Sequence, residues 1–400
     1  MRFVHVEDFI HPDAGYQVNS LSRLQKKQGH DVFIITAELD KMPSFLTAFF
    51  GKEDIENKDK LFFYRTGVKI QRIPLWGFYS GRAIFKKIKL FNAVKKLNPD
   101  VVYIHGEDTL MGIQFIWNFP KFKFPIVLDC HMLEMASENR FREIFRLFYR
   151  TFITPKILKY KIPLIRVVDT DFVHKCLGIP INKTTLLPLG TDISFFKPDE
   201  NKYIAGRKLY GISQNDFVVL YAGKLDEFKG GLFFAISIKE KFFSRNGKNI
   251  TFVIVGNTVG TYGQEVENTF SKSSNRIIRF PTQTYYDLLT YYQLADLSIF
   301  PKLCSMSFFE AQACGLPVVF EKNEINNQRS RFDNAYTFNP GDVMDFRKKI
   351  VDCVNMNRSQ YAIIKQNARA YVQNNYNYVL VAQQTTDLMI HTYNNYHSIS

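Results

Sequence analysis

"FVVLYAGKLDEFKGGLFF", residues 217–234, joins six apolar residues to a glycine, a short polar loop with two lysines, and a Gly-Gly pair that opens a second apolar stretch. An unbroken apolar run of this length fits a strand covered on both faces, and the segment after Gly230 fits the start of a helix. Gly223 lets the backbone turn tightly behind the strand. Lys224 and Lys229 set two cations beside the helix start, where free N–H groups already favour phosphate. Taken alone, the pattern fits a surface turn with solvated lysines equally well.

The same unit repeats in both directions. Downstream come "ITFVIVG", "RIIRF", "LADLSIFP" and "LPVVFE", separated by helical segments. Upstream, "FVHV", the loop "EDFIHPDAGYQ" and a helical stretch ending at "KKQGH" lead into "DVFIIT". "VKIQRIP", a helical 81–97, "DVVYIHG", a helix near 109–117, "PIVLDCH", a long helix 138–160, "IRVVD" and "TTLLPLG" follow. Short apolar strands alternating with helices predict parallel sheets covered on both faces, and the pattern runs through twice. It lapses where polar residues collect near 195–206, which reads as a linker. The expected domains are therefore 1–195 and 196–375, with a final helix over 376–400. A 400-residue chain also exceeds what one core usually organises.

"MSFFEAQACGLPVVFEKNE", residues 306–324, places one acid, Glu310, near the start of a short helix that Gly315 and Pro317 terminate. A carboxylate there can accept two hydrogen bonds from a vicinal diol such as a ribose. A solvated Glu interacting with the helix dipole fits this residue as well. Asp192, in "TLLPLGTDISFFKP", is either a ligand-facing acid or a turn residue.

Composition narrows the partners. The net charge is +14, and residues 61–160 alone hold 17 Lys/Arg against 7 Asp/Glu. That excess suits an anionic partner such as a phosphorylated substrate or acidic lipid. No zinc spacing, recognition helix or RNP-like pattern accompanies it, so nucleic acid is not expected. Cys130, Cys176, Cys304, Cys314 and Cys353 show no paired spacing and read as reduced, buried thiols of a cytoplasmic protein. The first ten residues lack a signal-peptide pattern, and no apolar run approaches the roughly 20 residues that span a bilayer. A soluble or peripheral protein is expected. "RAIFKKIKLFNAVKK" (82–96) and "RFREIFRLFYR" (140–150) mix cations with apolar residues at helical spacing, which fits docking on the anionic inner face of the plasma membrane and fits core packing equally well.

In order along the chain, the "P-x-x-G" loop, "GHDVFIIT", "DVVYIHG", "VLDCH", "LPLGTD", "YAGKLDEFKGG", "VIVGN", "LADLSIFP", "FFEAQACGLPVV" and "NPGD" resemble the family 4 retaining glycosyltransferases. The resemblance implies an α/β fold of the GT-B type: two doubly wound Rossmann-like domains facing across a cleft, with a C-terminal helix returning to the N-terminal domain. It implies a donor site in the second domain, with Glu310 on the nucleotide ribose, Lys229 and Lys224 on the diphosphate, Gly223 in the turn, and Ser305, Met306 and Ser307 in the donor loop. Gly15 matches a glycine-rich loop near the diphosphate, and His131 a histidine near the donor sugar. His105 and Asp192 fall on the acceptor side. The family's first acid of the Glu-x7-Glu motif is replaced here by Lys302, which can donate hydrogen bonds to a sugar but not accept them. The implied reaction moves a sugar from a nucleotide-diphosphate donor to a glycan or lipid-linked acceptor in surface-polysaccharide or lipopolysaccharide synthesis. No cofactor beyond the nucleotide sugar and no essential divalent ion is expected. A non-catalytic nucleotide-sugar-binding subunit and a nucleotide-sugar epimerase are the alternatives.

Overall fold

The computed structural model describes residues 1–40, 47, 50–79, 82–131, 141–303 and 306–399. The chain forms two compact units, Met1–Leu189 with Val379–Ser400, and Gly190–Tyr378.

In the first unit the strands are β1 (Arg2–Val6), β2 (Asp31–Ala37), β3 (Lys69–Ile73), β4 (Leu75–Tyr79), β5 (Arg82–Phe85), β6 (Val101–His105), β7 (Ile126–Cys130), β8 (Leu164–Arg166) and β9 (Thr184–Leu186). Seven of them form one sheet in the order β3-β2-β1-β6-β7-β8-β9, while β4 and β5 pair separately as an antiparallel hairpin. All the pairings within the large sheet are parallel. Every residue of β6 and β7 is buried, as expected for strands with helices on both faces. The sheet closes a core that includes Val4, Ile35, Ile104, Phe115 and Leu128. The helix Tyr378–Ile399 belongs almost wholly to this unit: Thr386 donates to the Gln28 side chain and Tyr396 to the Phe122 carbonyl.

The second unit holds β10 (Phe217–Ala222), β11 (Ile250–Val255), β12 (Arg276–Phe280), β13 (Leu297–Phe300), β14 (Val318–Glu321) and β15 (Ala335–Phe338), ordered β12-β11-β10-β13-β14-β15 and all parallel. Each large sheet thus grows outward from its first strand to one side and then restarts on the other. The reversal falls between β1 and β6 in the first unit and between β10 and β13 in the second. In open α/β sheets, loops at the carboxyl ends of two such strands diverge and leave a ligand site.

Three local expectations change. Residues 82–85, expected to be helical, form β5; Ala83 and Phe85 are buried against the core, and the helix spans only Lys87–Lys96. The long helix expected over 138–160 is, among the described residues, Arg142–Phe148 and Thr154–Lys159 joined by a π-helical turn at Tyr149–Ile153. The polar stretch near 195–206 is no linker: Asp199 caps a helix, Glu200–Leu209, by accepting from the Lys202 N–H. That helix buries Arg207, whose guanidinium donates to the carbonyls of Leu294 and Asp216 and to the Asp296 carboxylate. Its polar first turn is a capping signature that resembles loop composition.

Both chain crossings are joined in the second unit, where Thr191 and Asn377 form a parallel bridge and Tyr376 O accepts from Thr191 N at 3.0 Å. At the far end of the strands, β10 and β11 approach so closely that a Cβ on Gly256 (φ +149°) would lie 1.9 Å from the Gly223 carbonyl oxygen. Gly256→Ala should therefore destabilise the second unit by about 2 kcal/mol or more, measured by denaturant unfolding. Gly77→Ala, where nothing lies within 4 Å of the added carbon, should stay close to wild type.

Candidate functional site

In the second unit, the loops after β10 and β13 carry the residues singled out from the sequence. Gly223 ends β10, and the loop 224–230 runs to Gly230, whose φ of +74° caps the helix Gly231–Ser237. Lys229 Nζ donates across to the Leu303 carbonyl (3.1 Å), and Lys302 Nζ returns to the Glu227 carbonyl (3.3 Å). Two lysines thereby tie the loops at the sheet reversal to each other. Lys302 is exposed, and Lys224 and Lys229 are half-buried. Burial pulls the Lys224 ammonium below the ordinary lysine range, with Asp226 opposing the shift. Met306 precedes the helix Ser307–Ala313, and its carbonyl accepts from the Phe309 N–H (2.9 Å). Ser305 lies outside the described residues.

Glu310 sits in the first turn of that helix, buried to 3% exposure, so it is not the solvated acid that the helix start alone would allow. Its Oε2 accepts from the hydroxyl of Tyr292, on the neighbouring helix Leu288–Leu294, at 2.9 Å. Burial raises the carboxyl to about 7, partly offset by the Tyr292 hydrogen bond. An acid held at that point changes charge near neutrality.

In the first unit, β1 and β6 end in one repeated pattern, His5-Val6-Glu7-Asp8 and His105-Gly106-Glu107-Asp108, on either side of the sheet reversal. β7 adds Asp129, Cys130 and then His131. Asp129 Oδ2 accepts from His105 Nδ1 and from His131 Nε2, both at 3.0 Å, while Oδ1 accepts from the Gly106 N–H at 2.8 Å. Burial pushes this carboxyl up, but His131 and His105 outweigh it and hold Asp129 far below the usual range. Burial pulls His131 down; the Asp129 carboxylate outweighs that too and lifts the ring to about 9. The ligand-type atoms of His105, Asp129 and His131 lie within 4.8 Å of one another, and the two 3.0 Å contacts among them are at hydrogen-bond distance.

Around this group stand acids that burial keeps from ionising. Asp8 is raised to about 7, by burial first and by Glu7 second. Glu107 is raised well above the usual range, by burial first and by Asp108 second, with a Cys130 hydrogen bond opposing. Arg82 pairs with Asp108 at 3.3 Å. Half-neutral acids beside a cationic imidazole supply both donors and acceptors, a combination suited to a hydroxyl-rich ligand.

The remaining expectations sort by position. Gly15 lies in the loop between β1 and the helix Gln17–Lys27. His105 is buried inside the cluster, and His131 is its outermost ring, with 36% of its side chain exposed. Asp192 is a buried turn residue whose Oδ1 accepts from the Ser194 N–H and hydroxyl. An Asp-x-Asp sequence does occur, at Asp169-Thr170-Asp171, but its exposed carboxylates pair with Arg166 and Lys175. Sequence reading missed His5, Glu7, Asp8, Glu107, Asp129 and Tyr292. The repeated His-x-Glu-Asp at two strand ends was the available signal for the first four.

His131 makes the stability pH-dependent. Its folded value, about 9, lies above the unfolded 6.5, so its contribution is full below about pH 6.5 and fades as pH rises through 9. Denaturant unfolding should show a loss of about 1 kcal/mol across that window, after allowance for solvent screening of a partly exposed ring, and His131→Gln should flatten it.

Known proteins share parts of this sequence and its fold. The profile described as Glycosyl transferases group 1 matches residues 216–356. The UDP-Gal:alpha-D-GlcNAc-diphosphoundecaprenol alpha-1,3-galactosyltransferase of Escherichia coli is 24% identical over 76% of this chain and 78% of its own. A glycosyltransferase from Rickettsia africae superposes with a TM-score of 0.74 at 14% identity, covering 98% of both chains. The Anabaena protein HepE, solved in complex with UDP and glucose, gives 0.71 at 17% identity over 97% of this chain and 99% of its own. Residues 216–356 are thus similar to the group 1 glycosyltransferases, and the two parallel sheets have the GT-B fold of the solved transferases.

Proposed function

We propose that this protein is a retaining, metal-independent transferase that moves a sugar from a nucleotide-diphosphate donor to a hydroxyl of a glycan or lipid-linked acceptor in cell-surface polysaccharide or lipopolysaccharide synthesis. The observation that carries the reading is the buried Glu310 in the same unit as the lysine-tied loops after β10 and β13. Glu310 takes the ribose hydroxyls. Lys224 and Lys229 take the diphosphate, with Gly223 opening the backbone to it. Met306, Ser307 and Lys302 line the sugar end of the donor; in the first unit, His131 offers a donor to a sugar hydroxyl. The acceptor hydroxyl attacks the anomeric carbon on the face from which the nucleotide diphosphate departs, and the departing phosphate takes the hydroxyl proton. Cations aimed at that phosphate are each worth at most roughly 3–4 kcal/mol in the transition state.

Two measurements test the donor half. Ionised Glu310 should bind the ribose and protonated Glu310 should not, so UDP affinity by calorimetry should fall about tenfold from pH 8 to pH 6. Glu310→Gln should weaken UDP binding at pH 8 by about 1.5–3 kcal/mol and remove its share of the pH dependence. Equal affinity of the two proteins at pH 8 would take Glu310 out of the site.

The acceptor of the Escherichia coli relative is named as a diphosphoundecaprenol-linked sugar, and the first unit has a surface suited to such a lipid. No helix among the described residues is long and apolar enough to cross a membrane. Ile144 (70% exposed) and Leu147 (67%) stand out from the helix Arg142–Phe148 beside exposed Phe141 and Phe152, with Arg142 among them. Lys86, Lys87 and Lys89 flank exposed Ile88. We infer peripheral docking on anionic lipid at the cytoplasmic face, with about 1 kcal/mol from each near-surface cation. Flotation with vesicles containing acidic lipid should carry the protein at low salt, and Ile144→Ser with Leu147→Ser should release it. Flotation indifferent to lipid charge and salt would count against docking.

A further inference from the structure

Behind His131 a line of side chains runs into the core of the first unit. Asp129 Oδ2 meets His105 Nδ1 at 3.0 Å, His105 Nε2 meets His5 Nδ1 at 3.0 Å, and His5 Nε2 meets Gln25 Oε1 at 2.7 Å. Gln25 Nε2 then faces Met389 Sδ at 3.2 Å. His5, Gln25, His105 and Asp129 are all buried.

The protons along this line can be counted. A thioether has no proton to donate, so the amide N–H belongs toward Met389 and the amide oxygen toward His5. His5 must therefore carry hydrogen at Nε2. Asp129 already accepts from His131 and from the Gly106 N–H, so the His105 contact needs hydrogen at Nδ1. The contact between the two rings needs a third hydrogen. Three contacts require three ring hydrogens, and two neutral imidazoles carry two.

We propose that the buried His5–His105 pair holds one proton more than two neutral rings, that Gln25 fixes it there from the far end, and that this stored charge governs the protonation of His131. His105 lies against the Asp129 carboxylate and His5 against the neutral Gln25 amide, so the charge resides on the His105 side. The ring centroids of His105 and His131 are 6.4 Å apart, and both rings donate to one carboxylate oxygen. Among the described residues, the other charged or titratable groups facing them are Tyr103 on β6, Glu7 after β1, Glu107 and Asp108 after β6, and Arg82 on β5. Burial raises the three acids and Asp108 pairs with Arg82, whereas Asp129 touches both rings directly. Gln25 and His5 are then positioning residues: they reach His131 only through the proton count. The functional consequence rests on the reading of His131 as the sugar-facing group.

Nitrogen-15 NMR of histidine-labelled full-length protein at pH 7 reads the count directly, with signals assigned by single histidine substitutions. The wild type should show His5 protonated at Nε2 alone and His105 protonated at both ring nitrogens. Gln25→Met removes the oxygen that holds His5 in that tautomer; His5 can then donate from Nδ1, and the pair should drop to two hydrogens. Losing a cation at that distance should raise the midpoint of His131 by about one pH unit. A wild-type pair with only two ring hydrogens, or an unmoved His131 midpoint in a folded Gln25→Met protein, would overturn the proposal. The wild-type count needs no variant and so stands even if Gln25→Met fails to fold. If the ring midpoint moves while the pH profile of transfer does not, the stored proton is upheld and the assignment of His131 to transfer fails.

Discussion

A parallel strand order that reverses beside its first strand is the constraint on which everything else in this molecule depends. Between β1 and β6, and again between β10 and β13, the following loops must leave in opposite directions, so polar side chains can gather there without breaking a sheet. Strands buried on both faces cannot host those groups along their length, because an unpaired polar group there loses its water. Chemistry is thereby confined to strand ends, and both units place theirs at the carboxyl end.

The two ends differ in how they handle charge. In the second unit Lys229 is half-buried and Lys302 exposed, and their ammonium groups rest on main-chain carbonyls, leaving charge available to an anion. In the first unit burial raises Glu7, Asp8, Glu107 and Asp108, while Asp129 is held below its usual range because two imidazoles share it. Removing either ring would leave the other to bear a buried carboxylate alone, the arrangement that costs most in a low-dielectric interior.

How much of this could be read from the chain follows from what each feature needs. Strands such as "FVVLYAG" and "DVVYIHG" declare themselves because both faces are apolar, and Lys224, Lys229 and Glu310 declare themselves through neighbours in sequence. Asp129 and Tyr292 do not, because their roles come from partners 24 and 18 residues away, and only folding brings them together. The stretch 82–85 misled for a related reason: helical spacing in "RAIFKKIKL" is genuine from Lys87 onward, but pairing with β4 overrides it earlier. The polar 195–206 misled in the opposite way, since a helix N-terminus rich in Asp, Glu and Asn has loop-like composition.

The paired crossings at Thr191 and Asn377 make the second unit an insertion within the first. During synthesis, every residue of the inserted unit leaves the ribosome before the helix Tyr378–Ile399 exists. The inserted unit can fold as it emerges, whereas the first must wait with its sheet formed but Gln25, Gln28 and the Phe122 carbonyl still without Met389, Thr386 and Tyr396. Of the two units the one begun first is finished last, and the hydrogen-bonded line behind His131 is closed only when Met389 arrives, midway along that helix.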